Sequence, residues 1–294
     1  MRSDGGRGFS LGVASHLLSA MFPFLAADSV RRLGVSEASF VFYLVGAAIL
    51  AALLAGRTWR AEILSAFALL LRRRCFLISI GAFAGAAICY YRGLESSSNT
   101  LEFVYLSRLD WAVQIPAAVV FLRQQWEWKP LLFSAVAALG AMCVGSLGST
   151  GADAAWWACG YVVFSAAAYI MIVPVLEDRS VSQVGVLAVR TCFITLLLGA
   201  MCVGEWDSGR IALDSAQLWA ALFSGGVLTA IFWTRFAALS RIPLWLFSGL
   251  APLQAGTAFL VAVLRGEPPG LAAGAGIALI LLGEIGVALF ASRR

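Results

Sequence analysis

From Glu102 to Pro116 the chain reads Glu-Phe-Val-Tyr-Leu-Ser-Arg-Leu-Asp-Trp-Ala-Val-Gln-Ile-Pro, an apolar run that carries Glu102, Arg108 and Asp110. A charge at the centre of a bilayer costs about 2.5–3.5 kcal/mol on insertion scales. Such residues are kept where they meet a wet cavity or a partner, so this run is the first candidate for a binding site. Arginine suits carboxylates because its planar fork makes paired, charge-assisted hydrogen bonds. On a continuous helix Arg108 and Asp110 are about 200° apart. Tyr105, Arg108 and Trp111 then share one face, and Asp110 and Gln114 another. The expectation is that Arg108 holds a substrate carboxylate, with Tyr105 and Trp111 as walls. Asp110, with Gln114 beside it, holds a cationic group or takes up a proton; a packing hydrogen bond is the structural alternative. Glu102 lies near a span end, where it can reach water.

Other polar residues sit inside apolar runs. His16 is the single histidine, with Ser15 and Ser19 close in sequence; it is a packing residue or a proton relay. Trp157, Tyr161 and Ser165 recur at i, i+4 and i+8, a stripe that can stack on substrate, while Trp156 and Trp157 also suit an aromatic belt. Gln254 follows Pro252 closely and can donate to substrate. Arg92 and Arg235 each follow aromatic residues, Tyr90-Tyr91 and Phe232-Trp233. With Tyr91 and Trp233 they are candidate gates or access charges for an anion; ordinary interfacial anchoring is the alternative. Arg190 reads as an arginine that snorkels to the inner surface.

The elements that must carry these groups are membrane helices. The 294 residues are 61% hydrophobic and 13% charged, with a mean hydropathy of +0.88, whereas soluble domains carry about 25% charged residues. The low charge runs the whole length, so the chain reads as an all-α polytopic membrane protein without a separate soluble domain. With about 20 apolar residues per crossing, ten spans are expected, at roughly 9–27, 38–56, 75–92, 101–122, 131–149, 155–175, 183–204, 216–239, 243–264 and 271–291. Residues 57–74 are expected to form an interfacial helix, with Trp59, Ile63, Leu64 and Phe67 at helical spacing. Arginines gather on one set of loops, which puts both termini in the cytoplasm. The short N-terminus has no small-residue cleavage site, so no signal peptide is expected.

The composition also excludes other chemistry. The six cysteines form no CxxC or metal-ligand spacing, so no metal is expected. There is no GxxxxGK[ST] and hence no direct use of ATP, nor a DDxxD or histidine–acid pattern for a membrane transferase; neither a cofactor nor enzyme activity is expected. The basic balance follows membrane topology rather than nucleic acid. Expected partners are a small-molecule substrate and membrane lipid. Gly81, Gly85 and the Gly274–Gly276 region permit close helix contact within one chain or between two, so monomer and homodimer both fit.

The chain repeats itself at half length. Phe121-Leu-Arg-Gln-Gln-Trp and Val263-Leu-Arg-Gly-Glu-Pro end the fourth and ninth spans, offset by about 142 residues, and each precedes a Gly/Ala-rich span. Upstream, the run from Ser107 to Gln114 falls near that from Ser248 to Gln254. Five spans per half invert the second half relative to the first, a transporter architecture with binding near the midplane. The halves are expected at 1–149 and 150–294.

On these features the chain resembles the drug/metabolite transporter superfamily, specifically its EamA-type members. Leu264-Arg265-Gly266-Glu267 nearly matches their Leu-Gly-Glu motif, and Leu122-Arg123-Gln124-Gln125 is a degraded copy. The opening Gly12-Val-Ala-Ser-His-Leu-Leu-Ser-Ala-Met-Phe-Pro23 looks like the first span of the RarD-like branch. The family's usual proline in the fourth span is replaced by Asp110 or shifted to Pro116. The resemblance implies a secondary-active exporter in the plasma membrane, the inner membrane of a Gram-negative cell. The arginines within the spans favour a small carboxylate-bearing cargo, such as an amino acid or amino-acid-derived compound, with opine-type metallophores among the types the resemblance permits. Broad-specificity drug efflux shares the fold.

Overall fold

The computed structural model describes residues 2–54, 57–124, 151–178, 181–205, 215–266 and 271–291, with isolated positions from 128 to 143. All regular structure among the described residues is α-helical. In chain order the helices are α1 (Arg2–Leu33), α2 (Val35–Leu54), α3 (Arg57–Arg72), α4 (Arg74–Ser96), α5 (Thr100–Ser107) and α6 (Leu109–Phe121). They continue as α7 (Ala152–Leu176), α8 (Gln183–Glu205), α9 (Ser215–Leu239), α10 (Leu244–Ser248), α11 (Ala251–Leu264) and α12 (Leu271–Ala291). Seven segments among the described residues are long and apolar enough to cross a membrane: α1, α2, α4, α7, α8, α9, and α10 with α11 taken together. These support a multi-pass membrane protein. The expected fifth span, 131–149, lies mostly outside the described residues.

Three expectations change in detail. The first helix does not stop near residue 27. Asp28, Arg31 and Arg32 read as a loop, but the helix runs to Leu33 and turns on Gly34 alone. Gly34 has φ +90°, the left-handed setting in which glycine ends a helix without strain, and its N–H bonds to the Val30 carbonyl at 3.0 Å. Arg31 is held by the Ser97 carbonyl at 3.1 Å and Thr100 Oγ1 at 3.2 Å.

The helix expected at 57–74 is present as α3, with a different inner face. Ile63, Ala66 and Leu70 are buried, at the i, i+3, i+7 spacing of one helix face. Leu64 and Phe67, expected on the same side, are exposed. The inner face lies on α8, where a Cβ on Gly185 would sit 2.7 Å from the Glu62 carbonyl oxygen; glycine is what lets the two backbones meet.

The third change matters most for the site. The segment expected as the fourth span is not one helix. It is broken at Arg108, whose φ −80°, ψ −3° separates α5 from α6. Its N–H is shared between the Val104 and Tyr105 carbonyls, both at 3.2 Å, a tightening of the last turn that closes α5. The segment expected as the ninth span is broken in the same way at Gly249 and Leu250, with ψ −9° and −1°. Here Pro252, in the first turn of α11, lacks an N–H and cannot continue the ladder from α10.

The long helices pack pairwise: α4 lies along α7, α1 along α9, and α2 against both α8 and α9. On α9, Gly225 comes so near α2 that a Cβ would meet the Phe42 carbonyl oxygen at 2.8 Å, a small-residue contact of the kind membrane helices use. The main core fills these interfaces, and a second cluster joins α1, α5, α11 and α12. Midway along α1, α4 and α7, the packing leaves space lined by polar side chains.

Candidate functional site

Two adjoining cavities share Arg108, Tyr169 and Arg235 in their walls. The larger, about 70 Å³, is aromatic: Tyr43, Phe83, Tyr90, Tyr91, Tyr161 and Phe232 line it together with Arg190 and Ser165. The smaller, about 20 Å³, is polar, and His16, Asp110, Trp111, Gln114, Ser248 and Gln254 line it. Pockets for small molecules run to roughly 300–1,000 Å³. This conformation therefore encloses room for a few waters, and a metabolite enters only if the surrounding helices part.

Arg235, on α9, is engaged at all three nitrogens. Its Nε donates to Ser15 Oγ at 3.3 Å, Nη2 to Ser19 Oγ at 2.8 Å and Nη1 to the Tyr169 hydroxyl. These partners are neutral, so the bonds take up three of its five N–H groups and do not neutralise its charge. Ser15 and Ser19 are one turn apart on α1, so this arginine ties α9 to α1 and α7.

Arg190, on α8, is 1% exposed. Its guanidinium lies 3.6 Å from the Phe232 ring centroid and 4.4 Å from that of Phe83, a desolvated cation–π sandwich. Nη2 donates to the Tyr43 hydroxyl at 3.2 Å. The side chain points inward, not to the surface that its sequence position suggested, because aromatic rings from α4 and α9 receive it.

Arg108 occupies the break in the fourth span and borders both cavities. Asp110, two residues on, lies in the first turn of α6, where a carboxylate is favoured by the helix dipole. It accepts from Ser165 Oγ at 2.8 Å and Gln114 Nε2 at 3.2 Å. The oxygen of Gln114 accepts from Ser248 Oγ at 3.1 Å. One polar chain thus joins α7, α6 and the second broken helix.

His16 is fixed at both nitrogens, Nε2 3.0 Å from the Phe247 carbonyl and Nδ1 3.1 Å from Gln254 Oε1. A carbonyl only accepts, so Nε2 carries a proton. A neutral ring beside Arg108 and Arg235 then accepts at Nδ1, which requires the Gln254 amide to turn its nitrogen toward the ring. In this role His16 braces α1 against α10 and α11.

Most of the residues singled out in the sequence converge. His16, Arg108, Asp110, Trp111, Gln114 and Gln254 surround the polar cavity; Tyr91, Tyr161 and Arg235 line the aromatic one. Four lie elsewhere. Tyr105 turns to α11, its hydroxyl donating to the Ala255 carbonyl at 3.1 Å. The break at Arg108 ends the continuous face that would have joined it to Trp111. Trp157 is half-buried, its Cβ close to Gly93 of α4; the cavity stripe of α7 is Tyr161, Ser165 and Tyr169, one turn further on. Arg92 pairs with Glu95 at 3.5 Å, partly exposed. Trp233 stands 6.0 Å from Trp59 beside a groove on the α2 side. Each residue along a helix turns by about 100°, so Tyr91 enters the cavity while Arg92 leaves it, and Arg235 enters while Trp233, about 200° away, leaves. The expected gate quartet is therefore split. The sequence reading passed over Ser19, Tyr43, Tyr90, Arg190 and Tyr169 as site residues. For Arg190 a signal existed, a full charge within an apolar run.

No family model and no curated protein sequence matches the chain. Among solved structures, one crystal structure of a protein is similar at a TM-score of 0.71 and 17% identity, covering 99% of this chain and 100% of the other. Identity that low carries the fold and nothing further, so the arrangement of helices around these cavities is one that another chain adopts with a largely different sequence.

Proposed function

We propose that this chain is a secondary-active transporter of the drug/metabolite type that exports a small carboxylate-bearing metabolite across the plasma membrane, the inner membrane of a Gram-negative cell. In this reading it has ten spans, two inverted five-helix halves at 1–149 and 150–294, and both termini in the cytoplasm. Support for paired halves comes from the packing of α1 on α9 and of α4 on α7, each joining the two halves. Further support is the matching breaks at Arg108 and at Gly249–Leu250, an offset of about 142 residues in keeping with the sequence repeat. Broken helices that bring polar groups to mid-span are a recurrent way of building a transport site.

The observation that carries the substrate class is the charge of the walls. Arg108, Arg190 and Arg235 line the two cavities and Asp110 is the one carboxylate named among the lining residues. An excess of buried guanidinium attracts an acid. Broad efflux of lipophilic cations would be repelled by such a wall, which ranks that alternative lower. The test is a comparison of metabolites in cells and medium with the wild type and with Arg108→Ala at equal membrane abundance. A carboxylate that leaves only with the wild type supports the reading; equal export by both proteins overturns the assignment of Arg108.

A further inference from the structure

Besides Gln254 Nε2, which pairs once its amide turns toward His16, three buried N–H groups at the two cavities have no hydrogen-bond partner among the described residues: Arg108 Nε, Arg190 Nε and Trp111 Nε1. Each can only donate. Their residues are at most 7% exposed, and a donor left unpaired in so dry a place is costly. They also do not sit together. Arg190 borders the aromatic cavity and not the polar one; Trp111 borders the polar cavity and not the aromatic one; Arg108 borders both. Arg235 adds charge but no nitrogen without a partner, since Nε, Nη1 and Nη2 each make a hydrogen bond. Among the described residues lining the cavities, three guanidinium groups stand against one carboxylate, Asp110, an excess of two positive charges.

Resting on the transport reading above, we infer that the cargo carries two anionic groups set apart from one another. Arg108 with Trp111 holds one in the polar cavity, and Arg190 holds the other in the aromatic cavity. Tyr90, whose hydroxyl is also buried without a partner among the described residues, lines the aromatic cavity with Arg108 and Arg190. A single doubly charged group such as phosphate would satisfy one set of donors and leave the other empty. Two carboxylates joined by a short apolar linker satisfy both, and the linker packs against the rings of the larger cavity.

The test uses purified full-length protein in detergent, with thermal unfolding followed against acetate, succinate, glutarate, adipate and inorganic phosphate at matched ionic strength. A ligand that binds the folded form raises the midpoint in proportion to ln(1 + [L]/Kd). The expected result is a dicarboxylate optimum, at least about tenfold tighter than acetate or phosphate. Arg190→Gln should remove that preference while leaving acetate within about twofold, and Arg108→Gln should weaken every carboxylate. Acetate or phosphate binding as tightly as the best dicarboxylate overturns the two-group inference and leaves the transport reading standing. Binding of no carboxylate at all overturns both. If Arg190→Gln does not fold, the wild-type series alone decides between these results.

Discussion

The two broken helices of this protein have the same backbone and different chemistry. Each ends its first segment in a tightened turn with ψ near zero, at Arg108 in one and at Gly249–Leu250 in the other. Each carries a serine just before the break, Ser107 and Ser248, and a buried glutamine after it, Gln114 and Gln254. The first then adds a cation and an anion, Arg108 and Asp110. At the matching places the second has glycine, leucine and a proline. A break thus serves two purposes. In the second helix it frees backbone and braces His16; in the first it also carries the ionic groups that face the cavities. The asymmetry identifies the first broken helix as the one that meets charge.

The sharpest way to break this comparison is to exchange chemistry for shape at both junctions. Arg108→Gln should reduce export by two orders of magnitude or more, since losing a buried, hydrogen-bonded charge contact costs about 3–5 kcal/mol, and each 1.4 kcal/mol is a factor of ten. Leu250→Ala, at the equivalent turn, should leave export within a few-fold. Initial efflux rates from loaded cells at equal abundance decide the matter. Equal damage at the two positions would mean that the break itself, rather than its charge, does the work.

Asp110→Asn sharpens the next distinction. The amide keeps an acceptor for Ser165 Oγ, 2.8 Å away, and removes the only carboxylate named in the cavity walls. If the carboxylate meets a cationic group or a proton during the cycle, export falls by about ten- to a hundredfold, the cost of one charged hydrogen bond, roughly 1.5–3 kcal/mol. Ser165→Ala, which removes the hydroxyl and keeps the charge, should cost threefold to tenfold. The same rate for Asp110→Asn as for the wild type would reduce Asp110 to a packing residue.

How far the sequence announced this can be argued from individual residues. Length and apolarity announce membrane helices, because the bilayer dictates both. A charge in an apolar run announces a cavity, and Arg108, Asp110 and His16 were legible for that reason. Direction was not legible. The fourth span was read as one cylinder at 100° per residue, so Tyr105 was placed beside Trp111; the break at Arg108 sends them to different neighbours. Arg190 shows the limit most clearly. Its burial depends on Phe83 of α4 and Phe232 of α9, and no local pattern says that those rings will meet it. Asp28, Arg31 and Arg32 misled in the opposite sense, since their charges disguised the end of a helix that tertiary partners hold together.

A smaller effect separates the two glutamines. Gln114 joins Asp110 to Ser248 and so ties the broken helices to each other; Gln254 touches His16. Gln114→Ala should lower both the unfolding midpoint and export. Gln254→Ala should cost about 1 kcal/mol of stability, one ordinary hydrogen bond, with export within threefold. Thermal unfolding and efflux measured on the same preparations test the pair. A Gln254 variant that loses export with an unchanged midpoint would instead give that residue a direct contact with the cargo.

The smallest expected effect concerns two arginines in matching places of the proposed halves. Arg235 is buried and ties three helices together; Arg92 is partly exposed and pairs with Glu95 at 3.5 Å, one turn along its own helix. An exposed pair of this kind contributes about 0–1 kcal/mol, and salt screens it further. Arg92→Ala should therefore leave export within twofold and the midpoint nearly unchanged, whereas Arg235→Ala should lower the midpoint by several degrees, because Ser15, Ser19 and Tyr169 lose their common partner at once. The two variants are read together by thermal unfolding and efflux at low and physiological salt. A large loss of export in Arg92→Ala that is greatest at low salt and shrinks as salt screens the charge would return Arg92 to the role of an access charge, and the symmetry of the two positions would then be functional rather than inherited from the proposed repeat.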